Sequence, residues 1–241
     1  MPGRRILVVG AGAAGMMAAG TAAQNGAQVT VLERNAHTGR KILITGKGRC
    51  NVTNDCDVRD FIAAVPTNGD FLFGAASRFS PHDAMRFFES RGLALKTERG
   101  RRVFPQSDKA ADVVGTLTRF LQQTGCRVVR ARAQALLLKN GRVQGVRTED
   151  GKIFSADCVS IACGGLYCPR TGSTGDGYSL ARAAGHPVTP LGPSLVPLVS
   201  DDAFCPALQG LTLKNIAIKV TDQEQKKEIY KDFGELLFTH F

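Results

Sequence analysis

Ile6-Leu7-Val8-Val9 runs directly into Gly10-Ala11-Gly12-Ala13-Ala14-Gly15, and this junction decides the fold. Four apolar residues bounded by glycine predict a short strand buried on both faces. Met16 to Asn25 is alanine-rich and predicts a helix, which Gly26 is placed to end in a left-handed conformation. Gln28 to Leu32 reads as a second buried strand, with Glu33 at its end. Strand, G-x-G-x-x-G, helix, strand and acid, in that order, make a dinucleotide-binding βαβ unit.

Each residue of the turn has a physical task in such a unit. Gly10 permits the tight turn, Gly12 lets the backbone approach a pyrophosphate, and Gly15 lets the helix pack closely on the strand. The N–H groups around Ala13 and Ala14 open the helix and face the phosphates with the positive end of its dipole. Glu33 follows Gly15 by 18 residues, the distance at which a carboxylate accepts hydrogen bonds from a ribose diol. An acid rather than an arginine there predicts an unphosphorylated ribose, hence FAD or NAD rather than NADP.

The rest of the composition bounds the answer. A chain of 241 residues, 43% hydrophobic and 22% charged, is long enough to bury a real core and is neither disordered nor fibrous. Its formal charge is +10, and the excess clusters between residues 95 and 152, where 13 basic residues face 5 acidic ones. Such a stretch is a solvated face or an attractor for anions and nucleic acid; no interleaved aromatics accompany it, so nucleic acid is not the expected partner. Seven cysteines include no C-x-x-C pair, and the four histidines lack finger-like spacing, which disfavours zinc and a dithiol motif. They read as free thiols of a cytoplasmic protein. Ile6 to Ala23 is uncharged but mostly Gly and Ala, too weakly apolar for a membrane span.

Beyond Glu33 lies a second glycine-rich, basic loop. Gly46 and Gly48 allow close backbone approach, while Arg34, Arg40, Lys41 and Arg49 can meet phosphate or flavin oxygens, with Cys50 and Asn51 beside them. Cys50, next to Arg49 and Lys47, has neighbours that would lower a thiol pKa, although a structural thiol is the plainer reading.

Residues 39–54, G-R-K-I-L-I-T-G-K-G-R-C-N-V-T-N, resemble the signature of the aminoacetone-oxidase-like, BaiN-type FAD flavoproteins, bacterial NAD(P)/FAD-dependent oxidoreductases. Residues 100–110, 162–165, 171–178 and 234–241 fit the same resemblance, which covers the whole chain. It implies an α/β fold: a Rossmann-like FAD-binding domain, parallel sheet plus β-meander, with the start of an inserted, mainly β second domain. The expected division is 1–190 for the FAD-binding domain and 191–241 for the inserted one. Relatives of this kind continue past Thr239-His240-Phe241, so the chain is expected to be a truncated piece. The resemblance also places Arg132 and Ala133 near the adenine, and Ala162, Gly164 and Gly165 beside the cofactor. Amines and unsaturated carbonyl compounds are its implied substrates.

The remaining elements follow from local signals. Ser80-Pro81 caps a helix that Gly92 stops, and Asp108 to Gln123 predicts another with Val113, Leu117, Phe120 and Leu121 on its inner face. Ala133 to Lys139, a turn at Asn140-Gly141, Arg142 to Thr148 and Lys152 to Ser155 make the meander, and Cys158 to Ala162 returns as a strand. Gly172 to Gly177 precedes a helix, with Asp176 as its cap or its N–H groups toward the flavin. Prolines at 187, 190, 193, 197 and 206 mark a crossover into strands from about 195 to 241. The functional expectation is an FAD-dependent oxidoreductase acting on a small molecule, with NAD(P)H or oxygen as second redox partner and no named catalytic acid or base. A flavin- or NAD-binding protein acting on RNA and an inactive fragment are the rivals.

Overall fold

The computed structural model describes residues 3–192, 197–222 and 224–239; Pro193, His240 and Phe241 lie outside them. Strand β1 (Arg5–Val9), helix α1 (Ala13–Gln24) and strand β2 (Gln28–Glu33) form the expected opening unit. After it come α2 (Arg40–Ile44), β3 (Thr53–Asn54), α3 (Val58–Ala63), α4 (Phe73–Arg78) and α5 (Pro81–Glu89). Strands β4 (Leu95–Glu98) and β5 (Arg102–Pro105), helix α6 (Ala110–Gln123) and strand β6 (Arg127–Arg130) lead into the meander β7 (Ala133–Lys139), β8 (Arg142–Thr148) and β9 (Ile153–Ser155). Strand β10 (Cys158–Ile161), helix α7 (Asp176–Ala183) and the hairpin β11 (Thr212–Asp222) and β12 (Lys227–Leu237) complete the order.

The main sheet is parallel with order β10-β1-β2-β6, and Val9 stands opposite both Leu32 and Ile161. Alternation along β1 divides the core between its two faces. Val8, with Val29 and Val31 of β2, packs against Met16 and Ala19 of α1 and Val113, Leu117 and Leu121 of α6. Leu7, Val9 and Leu32 face the other way, onto Ala133, Val146 and Leu180 from the meander and α7. A strand sandwiched this way must be apolar at every position, which is why Ile6 to Val9 shows no polar alternation.

Local chemistry ends the elements where the residues require. Gly26 takes φ +84 behind α1, and Asn140 and Gly141 both take positive φ (51 and 70) in the meander hairpin. Ser80 and Asp83 exchange hydrogen bonds at the start of α5: the Asp83 N–H donates to Ser80 Oγ at 3.1 Å, and the Ser80 N–H donates to Asp83 Oδ2 at 2.8 Å. The bonds from Ser80 and Arg86 hold the Asp83 carboxyl down at about 2. Helix α6 starts two residues later than expected, because Asp108 sits at φ +58 with its carboxylate on Arg49 and Lys96. A three-stranded antiparallel sheet, β3-β5-β4, lies where no strand had been expected, in the glycine-rich loop and between the two helices read from Ser80 and Asp108.

The chain divides into two compact units, Met1–Thr189 and Pro190–Phe241. The second is dominated by the β11–β12 hairpin, in which Ile218 stands opposite Asp232 and Val220 opposite Tyr230. Among the described residues no helix is long and apolar enough to cross a membrane.

Candidate functional site

At the carboxyl ends of β1 and β2 opens a cleft of about 1320 Å³, above the 300–1,000 Å³ usual for small-molecule pockets. Steric facts around its three glycines separate packing from ligand space. A Cβ on Gly15 would lie 1.9 Å from the Gly10 carbonyl oxygen, and one on Gly10 would lie 2.5 Å from the Ala162 oxygen. These two positions are closed by the protein's own backbone. A Cβ on Gly12 would meet nothing within 4 Å, since it projects into the open cleft. Gly15 accordingly packs the helix and does not line the cleft.

Gly12 is the N-cap of α1, no side chain caps it, and the first turn carries no acid. The N–H groups of Ala13 and Ala14 have no intrahelical acceptor by geometry, so an anion is the partner this end suits. Gly39, at the start of α2, donates its N–H to the Ala11 carbonyl at 2.8 Å and takes φ +68. That bond ties the second glycine-rich loop to the first and sets Arg40 and Lys41 on the cleft wall.

Glu33 is buried, 7% exposed, and accepts three N–H bonds from the protein. Ala11 N–H reaches Oε2 at 2.8 Å, while the N–H and Nδ2 of Asn35 reach Oε1 at 2.8 and 2.7 Å. A carboxylate has about four acceptor sites, so one remains toward the cleft. Asn35 also accepts from Arg40 Nη1 at 3.0 Å, linking the second loop to the acid. Turn, helix start and acid therefore fit a dinucleotide: space at Gly12, donors at Ala13 and Ala14, an unfilled acceptor at Glu33.

The second loop departs from expectation. Arg40, Lys41, Cys50 and Asn51 line the cleft, but Gly48 and Arg49 do not. Arg49 lies over the Phe104 ring, 4.1 Å from its centroid, and is held by Glu98 and by Asp108, whose Oδ1 accepts from Nε at 2.7 Å. Its charge is turned to two carboxylates away from the cleft lining. Nor is the Cys50 thiol activated: burial pushes it up, only partly countered by a hydrogen bond with Thr45. Cys163, whose Sγ donates to the Val9 carbonyl at 3.5 Å, is pushed up to about 11 by burial, with the charges of Asp176 and Glu33 adding to it.

Ala133, Ala162 and Gly164 border the cleft as expected, whereas Gly165 does not and packs near the Tyr178 hydroxyl. Asp176 is not the cap of α7. Gly175 is, without a side-chain bond, and the Asp176 carboxylate turns instead to Arg34, Arg132 and Thr174. Partial burial pushes that carboxyl up, but the bonds from Arg132 and Thr174 and the charge of Arg34 outweigh it and hold it below the usual value. Asn35, Cys163 and Ser173 line the cleft without having been expected. Asn35 follows Glu33 by two positions and could have been read as a turn residue bonding back to the acid.

A parallel sheet whose glycine turn feeds an uncapped helix, with an acid at the end of the second strand, defines a dinucleotide-binding α/β protein. A family model described as HI0933-like protein Rossmann domain matches residues 4–240, and the chain belongs to this family of FAD-binding Rossmann domains. It is 36% identical over 244 residues to a 3-dehydro-bile acid delta(4,6)-reductase from Clostridium scindens, covering 98% of this chain and 57% of that protein. It is 29% identical over 234 residues to the ribosomal RNA dihydrouridine synthase of Escherichia coli, covering 97% of this chain and 56% of that one. The chain thus spans a little over half the length of these relatives. Among solved structures, a 3-ketosteroid-delta4-(5alpha)-dehydrogenase from Rhodococcus jostii RHA1 superposes with TM-score 0.59 at 17% identity, over 76% of this chain and 54% of that one. A flavocytochrome c3 fumarate reductase gives 0.58 at 21% identity, over 75% and 40%. At such identities the likeness is one of fold.

Proposed function

We propose that this chain holds FAD for an oxidoreductase that moves hydride between a small unsaturated carbonyl compound and the flavin, with NAD(P)H or oxygen as second redox partner. The observation that carries the reading is the open space at Gly12, where a side chain would meet no protein atom within 4 Å. Because Gly12 lines the cleft at the uncapped start of α1, that space can admit a ligand, and the donors there suit an anionic one. When bound, FAD supplies the two-electron chemistry.

The chain's own residues bind and orient. Backbone N–H groups of Gly12 to Ala14 receive the diphosphate, and the remaining acceptor of Glu33 takes a ribose hydroxyl. Arg40 and Lys41 add positive charge on the opposite wall. Val9 and Ala162 give the floor an apolar surface that sheds water. Cys50 and Cys163, with thiols pushed up by burial, stay protonated near neutral pH and serve as packing rather than as nucleophiles.

The substrate class draws on the two relatives, whose names both describe hydrogen added across a ring carbon–carbon double bond. A small molecule is favoured over RNA because no interleaved aromatics accompany the basic stretch, and four of its thirteen cations, Lys96, Arg101, Arg132 and Lys152, are engaged with carboxylates. A reducing, cytoplasmic setting accords with seven free cysteines. The test is the absorbance spectrum of the purified protein, where bound oxidised flavin gives bands near roughly 370 and 450 nm. Protein that is colourless and takes up no added FAD refutes the reading. Anaerobic bleaching by NADH or NADPH identifies the donor, and a salt-sensitive RNA gel shift would favour the rival substrate.

A further inference from the structure

Two arginines at the far side of the ribose acid share one carboxylate. Arg34 follows Glu33 at the end of β2, and Arg132 lies between β6 and β7. Strand β6 pairs with β2 so that Glu33 stands opposite Arg130, and the Ala131 N–H donates to the Glu33 carbonyl at 2.9 Å. Arg132 therefore lies on the β6 side of the acid, and Arg34 directly follows the acid in the chain. Arg34 Nη1 donates to Asp176 Oδ2 at 3.2 Å and to Thr174 Oγ1 at 2.7 Å. Arg132 Nε donates to the same Asp176 oxygen at 3.1 Å, and Thr174 Oγ1 donates to the other at 2.9 Å. Arg34, Arg132 and Asp176 all line the cleft.

In a site of this order the diphosphate takes the helix N-terminus and the ribose takes the acid, which leaves the base to lie past the acid along the next strand. That is the wall built by Arg34, Ala131, Arg132 and Ala133. We infer that Asp176 is a positioning residue for the adenosine half of the dinucleotide, clamping Arg34 and Arg132 into one wall against which base and ribose lie; the inference rests on the reading that the cleft takes FAD. Without the carboxylate the two guanidinium groups repel one another; Arg34 keeps its bonds to Thr174 and the Gly172 carbonyl and Arg132 its pair with Glu149 at 3.3 Å, so each side chain regains part of the rotamer freedom that the ligand must then remove on binding. A carboxylate 142 residues away from Arg34 in the chain thus shapes a site whose glycine motif closes at residue 15.

The purified chain, freed of flavin, is titrated calorimetrically with FAD and separately with ADP, which carries the adenosine half alone. Wild type is compared with D176N, D176A and D176E, and the unfolding midpoint of each is measured without ligand. Losing a charge-assisted clamp should weaken FAD and ADP by the same factor, about tenfold in D176N. D176E, which keeps the charge, should recover part of it, and D176N should keep a cooperative ligand-free unfolding transition, its midpoint lowered only by the loss of these partly exposed ion pairs. Should D176A fail to fold, the nearly isosteric D176N decides. Unchanged affinity in D176N, or loss for FAD without loss for ADP, overturns the inference while leaving the cofactor reading intact. A wild-type chain that binds neither ligand refutes the cofactor reading itself.

Discussion

Replacing Gly12 with valine separates cofactor space from packing more cleanly than any other change in the chain. Gly12 has φ −81 and ψ −173, extended values that any residue adopts, and a Cβ there meets nothing within 4 Å. As a helix N-cap, glycine is preferred over an aliphatic residue by about 1 kcal/mol. The stiffer unfolded chain returns about 0.4–1 kcal/mol. The net change in stability should be under about 1 kcal/mol, a shift of roughly 2–4 °C in Tm at this chain length. The isopropyl group would stand where the diphosphate approaches the backbone. Overfilling a close-packed site costs up to about 3 kcal/mol, or roughly a hundredfold in Kd. Gly15→Val is the control, because its Cβ would lie 1.9 Å from the Gly10 oxygen, an atom of the turn that cannot yield. That protein should lose its cooperative unfolding transition or fail to accumulate in soluble form. Circular dichroism melts and FAD titration of both variants are the assays. If Gly12→Val keeps full FAD occupancy, or unfolds as badly as Gly15→Val, the assignment of the glycine turn is wrong.

Further expectations concern individual groups. Glu33→Gln places an amide among three N–H donors, so it should destabilise the fold by about 1–3 kcal/mol and weaken FAD binding; a melt indistinguishable from wild type counts against the buried bonding pattern. Maleimide at neutral pH should label exposed Cys158 well before buried Cys50 and half-buried Cys163, whose thiols are pushed up and stay protonated, and mass mapping of early adducts on Cys50 would contradict this. Asp83, held down at about 2 from an ordinary 3.8, stabilises the start of α5 fully above the ordinary value and loses that effect as pH falls toward 2. The acid limb of the unfolding curve should therefore flatten in Asp83→Asn relative to wild type, and identical limbs would remove Asp83 from the account.

What was readable beforehand follows the range of the interactions. The opening unit from Ile6 to Glu33 was legible because its determinants are local: glycine sterics, an alanine-rich helix and an acid at a strand end. The meander was legible through Asn140-Gly141, and α5 through Ser80-Pro81. Arg49 looked like a cofactor ligand because its own neighbourhood is rich in glycine and cations. Its real partners, Glu98 and Asp108, lie 49 and 59 residues away. At Cys50 the plainer reading, a structural thiol, agrees with the structure, since burial rather than adjacent charge governs it. The β3-β5-β4 sheet escaped notice because its strands have only two to four residues, too short to show alternation. For Asp176 the sequence left a helix cap and a flavin-facing turn both open, because the arginines that claim it follow the ends of β2 and β6, 142 and 44 residues away.

The strand order has a consequence for how the chain comes into being. β1 is flanked by β2, its near neighbour in sequence, and by β10, reached only after Asp157 pairs with Arg5 across 152 residues. At synthesis rates of about 5–20 residues per second, one edge of β1 waits roughly 8–30 s for its partner to emerge. During that interval Ile6 to Val9 is an uncovered parallel-pairing edge, apolar on both faces. Helices α1 and α6 can shield only the side that carries Val8. The nascent domain is thus most prone to mispairing after β6 has been made and before β10 has, and a chaperone that holds chains of about 130 to 160 residues would act in that window.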